Sequence, residues 1–241
     1  MFFNCNALTA LDLSNFDTSK VTDMYRMFSE CNALTALDLS NFDTSNVVVM
    51  SSMFNGCYSL ATLDVSSFDT SNVTHMNQMF TDCRALTSLD LSNFNTNKVT
   101  EMNSMFNSCY SLTTLNLMNF TPRSDTNFTE MFYDCENLET IYCNYVWYSG
   151  SVSENMFTGC TSLKGAVEFD PTKIDASMAT PYGGYFTLYN GSVTEISSDD
   201  ADAPVEVYNL YGVKVADTTS RLTPGIYIVR QGKTVKKIAV K

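Results

Sequence analysis

Cysteine spacing constrains this chain more than any other feature. Cys5, Cys31, Cys57, Cys83, Cys109 and Cys135 stand 26 residues apart, and Cys160 follows after 25. Four residues before each stands a Met (Met1, Met27, Met53, Met79, Met105, Met131, Met156), each followed by Phe, and three residues after stands a Leu (Leu8, Leu34, Leu60, Leu86, Leu112, Leu138, Leu163). Further columns run Leu11, Leu37, Leu63, Leu89, Leu115, Ile141, then Leu13, Leu39, Val65, Leu91, Leu117, Cys143, then Phe16, Phe42, Phe68, Phe94, Phe120, Val146. A unit this short cannot bury its apolar face alone, so consecutive units must stack and share one interior.

Within a unit, Thr35-Ala36-Leu37-Asp38-Leu39-Ser40 alternates polar and apolar residues, the period of a strand with one buried face. Met76, Met79 and Phe80 recur at i, i+3 and i+4, a spacing that predicts a short helix capped by Thr74. The expected fold is therefore an α/β solenoid: strands in parallel on one side, helices on the other, and curvature because helices are wider than strands. The unit beginning at Cys109 carries Pro122-Arg123-Ser124 and Phe128 in place of the usual residues, so its loop should project differently.

The pattern Leu34-x-x-Leu37-x-Leu39 is the short core of a leucine-rich repeat, and MFSECNALTALDLSNFDTSNV resembles the BspA-like repeats of bacterial surface proteins. This resemblance covers about residues 1–165, seven units of 25–26 residues, and implies a right-handed superhelix with its parallel sheet on the concave face. Residues 166–190 resemble the closing segment that follows such arrays and are expected to cap the exposed core. Residues 191–241 change texture: a polar linker reaches Pro204, and then β-rich runs at 205–209, 213–216, 226–229 and 234–240 alternate with turn signals at Tyr211-Gly212, Pro224-Gly225 and Gln231-Gly232. A small antiparallel sheet is expected there. VYNLYGVKV and LTPGIYIVRQGKTVKKIAVK resemble the C-terminal sorting domains of the Bacteroidetes type IX secretion system, which implies export to the cell surface.

Charge narrows the partners. The net charge of −12 divides into −13 over residues 1–189 and +1 over residues 190–241. An acidic array repels phosphate backbones, which argues against nucleic acid and anionic membrane surfaces. No apolar run approaches the roughly 18 residues of a membrane helix. Met1-Phe2-Phe3-Asn4-Cys5 lacks the basic start and apolar stretch of a signal peptide, and Met1 falls inside a unit, so a part preceding residue 1 is expected.

Metal binding needs thiolates converging on one ion, commonly as close pairs, and no such pair occurs here. In a stacked ladder the cysteine Cβ vectors run parallel, poorly placed for disulfides, so buried reduced core thiols are expected. Asp12, Asp38, Asp64 and Asp90, continued by Asn116 and Tyr142, lie between inward apolar residues and must point outward. They form either a partner-binding acidic stripe or a stripe satisfied by flanking Ser and Thr. A second series, Asp17, Asp43, Asp69 and Asn95, reads as turn chemistry. Tyr142, Tyr145, Trp147 and Tyr148 of the sixth unit read either as a contact patch or as packing under the cap. His75 shares its column with Asp23, Val49 and Glu101 and is expected to be exposed.

No nucleophile elbow, phosphate loop or paired acid–base motif is present in the sequence, so no enzyme activity and no cofactor are expected. The expectation is an extracellular or outer-membrane-associated interaction module. It would bind a host or bacterial surface protein through Asp12, Asp38, Asp64, Asp90, Asn116, Tyr142, Trp147 and Tyr148. A structural spacer and a cation-dependent glycan binder are the alternatives.

Overall fold

The computed structural model describes residues 1–148, 150–189, 205–208, 214–216, 225–231 and 234–240. The chain divides into two compact units, Met1–Tyr189 and Asn190–Lys241. The first is a β-rich repeat stack. The Met-Phe columns face inward, and Phe28, Phe54, Phe80, Phe106, Phe132 and Phe157 are fully buried. Their rings form a continuous stack from Phe2 to Phe157, with centroids 5.3–5.7 Å apart. A second stack runs Phe68, Phe94, Phe120, Trp147 at 6.3–6.5 Å. Pairs of this kind contribute about 0.5–1.5 kcal/mol each beyond simple burial.

The strand side forms a parallel sheet, β1 (Ser88–Asp90), β2 (Thr114–Asn116), β3 (Thr140–Tyr142) and β4 (Phe186–Thr187), in that order. The register follows the period: Leu89 faces Leu115, which faces Ile141, which faces Phe186. The corresponding segments at 11–13, 37–39 and 63–65 do not pair as strands, against the expectation that all units would.

The predicted helices do not form either. No α-helix occurs among the described residues, so the α/β expectation is corrected to a β-rich repeat. On the side opposite the strands, alternate N–H groups bond to the next unit: Met76 to Glu101 O at 2.8 Å, Gln78 to Asn103 O at 3.0 Å, Phe80 to Met105 O at 2.9 Å and Asp82 to Asn107 O at 2.8 Å. The intervening N–H groups close four-residue turns within the unit, Met79 to Met76, Thr81 to Gln78 and Cys83 to Phe80. A helix would direct all of these bonds along its own axis, and it would need neighbours 8–10 Å away. The ring spacing near 5.6 Å leaves no such room, so the difference in width from which curvature was expected is absent.

The turns require a left-handed residue every fourth position. Gln78 and Asp82 have φ of 57° and 59°, and Arg26/Glu30, Ser104/Ser108 and Glu130/Asp134 repeat the pattern. Gly56 and Gly159 occupy the same column as Glu30 and Asp82, at φ of 73° and 81°, where glycine carries no Cβ penalty.

In the unit after Cys109, Thr126 turns inward instead of Asp125. Its hydroxyl donates to Val99 O at 3.0 Å, while Arg123 pairs with Asp125 at 2.7 Å. Residues 166–187 lie across the last unit. Tyr185 and Phe186 are fully buried, with Phe186 edge-on to Trp147 at 4.9 Å and Tyr185 edge-on to Phe157 at 5.2 Å. Asp175 caps a single 3-10 turn, Ala176–Met178, by accepting the Ser177 N–H.

The second unit holds an antiparallel sheet of β5 (Val205–Tyr208), β6 (Lys214–Ala216), β7 (Gly225–Gln231) and β8 (Thr234–Val240), ordered β6-β5-β7-β8. Glu206 accepts from the Tyr208 hydroxyl at 2.9 Å and from Lys214 at 3.3 Å, which holds its carboxyl below the usual range. The expected linker at 190–204 and the turn positions Tyr211, Gly212, Pro224 and Gly232 lie outside the described residues.

Candidate functional site

Because Leu11/Leu13 and their equivalents point inward, the residue between them must face solvent, and Asp12, Asp38, Asp64 and Asp90 are all exposed. Each carboxylate accepts the N–H of the Ser two residues on: Ser14 at 3.0 Å, Ser40 at 3.0 Å, Ser66 at 2.9 Å and Ser92 at 2.9 Å. The Ser14 N–H holds Asp12 below the usual carboxylate range, as the Ser40 hydroxyl and N–H hold Asp38 and the Ser66 N–H holds Asp64. Half-buried Asn116 makes the same turn to the Met118 N–H at 3.2 Å. Every one of these bonds is local to its unit, and among the described residues no Lys or Arg pairs with the row. At a strand spacing of about 4.8 Å, neighbouring carboxylates repel by about 0.9 kcal/mol even at the dielectric of water. A backbone hydrogen bond contributes a comparable 0.5–1.5 kcal/mol net.

The second series behaves as turn chemistry. Asp17, Asp43 and Asp69 accept the N–H groups of Ser19, Ser45 and Ser71, and Asn95 accepts that of Asn97. The Thr after each does more than its sequence implied. Buried Thr18 accepts the Asp43 N–H at 2.8 Å and donates to Asp43 O at 2.9 Å, and Thr44 bridges to Asp69 in the same way.

The sixth-unit aromatics separate. Trp147 was expected on the binding face, but it is only 2% exposed and lies in the core, 5.0 Å from the Phe128 ring. The chain slips by one residue here: Trp147, not Val146, continues the Phe120 column, and Val146 is 59% exposed. Tyr142 is half-buried and meets Tyr189 edge-on at 5.3 Å. Tyr148 is 53% exposed. His75 is exposed, with Nδ1 2.7 Å from the Thr74 hydroxyl.

All eight cysteines are free thiols, and all but half-buried Cys5 are buried. Each ladder thiol from Cys31 onward donates to the carbonyl of a Phe in the preceding unit: Cys31 to Phe2 at 3.2 Å, Cys57 to Phe28 at 3.2 Å, Cys83 to Phe54 at 3.3 Å, Cys109 to Phe80 at 3.1 Å, Cys135 to Phe106 at 3.0 Å and Cys160 to Phe132 at 2.9 Å. Desolvation pushes Cys57 and Cys109 up to about 12. These are protonated structural donors. Among the described residues no group of three or more His, Cys, Asp or Glu side chains is placed to hold a metal ion, and no helix is long and apolar enough to cross a membrane.

Two features escaped the sequence reading. Arg84 lies over the Tyr58 ring at 4.4 Å, with Tyr110 at 5.7 Å and Asp82 at 2.8 Å, a surface stack in the column directly after the cysteines. Beside the acidic row, Asn41 donates to Leu13 O, Ser14 O and Phe16 O, and Asn93 clasps Val65, Ser66 and Phe68 likewise. Ser67 takes this column in the third unit and reaches only Leu39 O, at 3.4 Å. A cavity of about 70 Å³ opens there, lined by Leu37, Asp38, Leu39, Ser40, Asp64, Ser66 and Ser67. Ser67→Asn is expected to restore the clasp and stabilise the protein by about 1 kcal/mol, read as a higher urea midpoint.

A family model described as Mycoplasma protein of unknown function, DUF285, matches residues 1–89 and 60–169. The match is compatible with the BspA-like resemblance of the repeat. No curated protein and no solved structure matches the chain.

Proposed function

Since the chain belongs to the DUF285 family, we propose that it is an extracellular interaction module whose strand face, marked by Asp12, Asp38, Asp64 and Asp90, binds a host or bacterial surface protein carrying basic groups. One observation carries the reading: four exposed carboxylates stand in a single row on a stacked scaffold, and none has a cationic partner within the structure described. The other recurring side chains are committed elsewhere, the Phe, Met and Cys columns to the core and the Thr and Asn columns to bonds between units. The face is therefore the part of the repeat whose charge is left exposed, each carboxylate bonded only to the N–H of its own unit's Ser. Asn116, Tyr142 and Tyr148 extend it toward the cap, where exposed aromatic surface favours a specific contact. The tail's resemblance to sorting domains and the repeat's resemblance to bacterial surface proteins support placing the module outside the cell. The solenoid reading rests on the same repeat, with each unit a coil of one continuous superhelix.

The test immobilises the full chain and measures capture of a panel of extracellular-matrix proteins and of whole bacterial cells. Combined Asp38→Lys, Asp64→Lys and Asp90→Lys substitution is expected to reduce capture at least tenfold, and raising the salt to about 0.5 M should weaken wild-type capture because exposed charges are screened. Unchanged capture by the variant overturns the acidic face. Failure of the whole panel overturns the binding role and favours a spacer.

A further inference from the structure

The parallel sheet stops at a chemically marked place. From the fourth unit onward the strand sides are bonded: Leu91 N–H to Asn116 O at 2.9 Å, Leu117 N–H to Tyr142 O at 2.8 Å and Cys143 N–H to Thr187 O at 3.1 Å. The equivalent donors in the first three units, the N–H groups of Leu13, Leu39 and Val65, make no such bond to Asp38, Asp64 and Asp90. The opposite side of the same units is fully bonded, as in Met24 N–H to Val49 O at 2.9 Å and Met50 N–H to His75 O at 2.9 Å. The units are thus held together along one side and open along the other.

Three ordinary explanations fail. Fraying at an end does not account for the third unit, which has neighbours on both sides, yet Leu63 is half-buried while Leu89 is 3% exposed and Leu115 fully buried. Inward side-chain size does not decide it: the first column is Leu from Leu11 to Leu115, and in the second the open units carry Leu13 and Leu39 as well as the smaller Val65, while the paired ones carry Leu91 and Leu117. Strand propensity of the preceding outward residue does not decide it either: Thr62 stands in an open unit and Ser88 in a paired one, and Thr is the better strand former. What changes is the outward pair. By the 26-residue period Asp12 is matched with Asp38, Asp38 with Asp64 and Asp64 with Asp90 in the open region, whereas Asp90 faces Asn116, Asn116 faces Tyr142 and Tyr142 faces Thr187 in the paired one. Like charges placed directly opposite on neighbouring strands destabilise the pairing. The Ser66 N–H holds Asp64 below the usual carboxylate range and the charge of Asp38 opposes it, and both carboxylates line the 70 Å³ cavity.

We infer that the carboxylate row is a conformational device: facing Asp pairs hold the strand side of the first four units open, and neutralising them zips Leu11–Leu13, Leu37–Leu39 and Leu63–Val65 onto β1 as one continuous parallel sheet. Taken with the binding role proposed above, on which this clause alone rests, a partner that supplies cationic groups to the row closes the sheet beneath it as it binds.

Amide hydrogen exchange on the full chain, without any partner, tests the device. In the variant carrying Asp12→Asn, Asp38→Asn and Asp64→Asn every outward pair contains at most one carboxylate, and exchange at Leu13, Leu39 and Val65 is expected to slow at least tenfold toward the rate at Leu91. The reciprocal variant, Asn116→Asp, creates one new facing pair with Asp90. It should speed exchange at Leu91 at least tenfold while leaving Leu117, whose acceptor is Tyr142 O, unchanged. Rates at Leu13, Leu39 and Val65 that do not move in the triple variant overturn the inference, as does a reciprocal variant in which Leu91 and Leu117 respond together. The Met50 and Met76 amides on the opposite side report that both variants are folded. Slowed exchange in the triple variant together with partner capture that its neutralised row leaves unchanged would refute the binding role and leave the device standing.

Discussion

Raising the pH from about 8 to about 10 in the presence of a reductant is expected to remove most of the stability of the repeat stack. The cause is the thiol ladder. Burial pushes Cys57, Cys109 and Cys143 up to about 12 and raises Cys83, Cys135 and Cys160 as well. A free thiol ionises near 8.5, so over this interval the unfolded chain loses protons that the folded one retains. For groups raised in the folded state, the stabilisation is complete below the unfolded value and disappears as the pH climbs toward the folded one. One unit above the unfolded value each thiol forfeits roughly 1.4 kcal/mol, and six together forfeit roughly 8 kcal/mol, against a whole-domain stability of about 5–15 kcal/mol. The measurement is thermal unfolding across this range, with thiolate absorbance near 240 nm followed in parallel. The thiolate signal of these six buried cysteines should appear with unfolding and not before it, with half-buried Cys5 removed as Cys5→Ser so that it does not contribute. A melting temperature that stays level between the two pH values would show that the ladder's protonation state carries no such weight.

Phe80→Ala should destabilise the protein by about 3–5 kcal/mol in equilibrium urea unfolding. The ring is fully buried between Phe54 and Phe106, each 5.6 Å away, so its removal leaves a void that two stacked neighbours cannot both close. Phe2→Ala is the matched comparison. Phe2 stacks on Phe28 at 5.7 Å and is only half-buried where Phe80 is fully buried, so its loss should cost less than half as much. Equal effects at the two positions would mean that the stack is not the source of the stability.

Much of the interior could be read from the spacing of the residues. The Met, Phe, Cys and Leu columns are where their period puts them, and the turn role of Asp17, Asp43 and Asp69 follows from a side chain that reaches a backbone N–H two residues on. The helix at 73–80 was misread because Met76, Met79 and Phe80 can share an inward side in two ways: by helical winding, or by consecutive turns joined through a left-handed residue. Periodicity alone does not separate these. Gly56 and Gly159, in the column of Glu30 and Asp82, were the available hint. Trp147 was misplaced for a different reason. A one-residue slip in the last full unit exchanged the inward and outward positions of Val146 and Trp147, and only the packing against Phe186 fixes which ring enters the core. The candidate face was legible as a row of carboxylates. The strand side that opens beneath it was not, because pairing there turns on a balance between backbone bonding and like-charge repulsion of similar size.

Bonds between neighbouring units recur at one fixed offset along most of the array, as in Met24 to Val49, Met50 to His75 and Met76 to Glu101. Copying or deleting one unit's worth of codons would therefore preserve this backbone offset at the new junction, so the protein could lengthen or shorten by whole units without redesigning the bonds that join them. Reach is thus a trait that selection can tune in whole increments, separately from the charges displayed along the way.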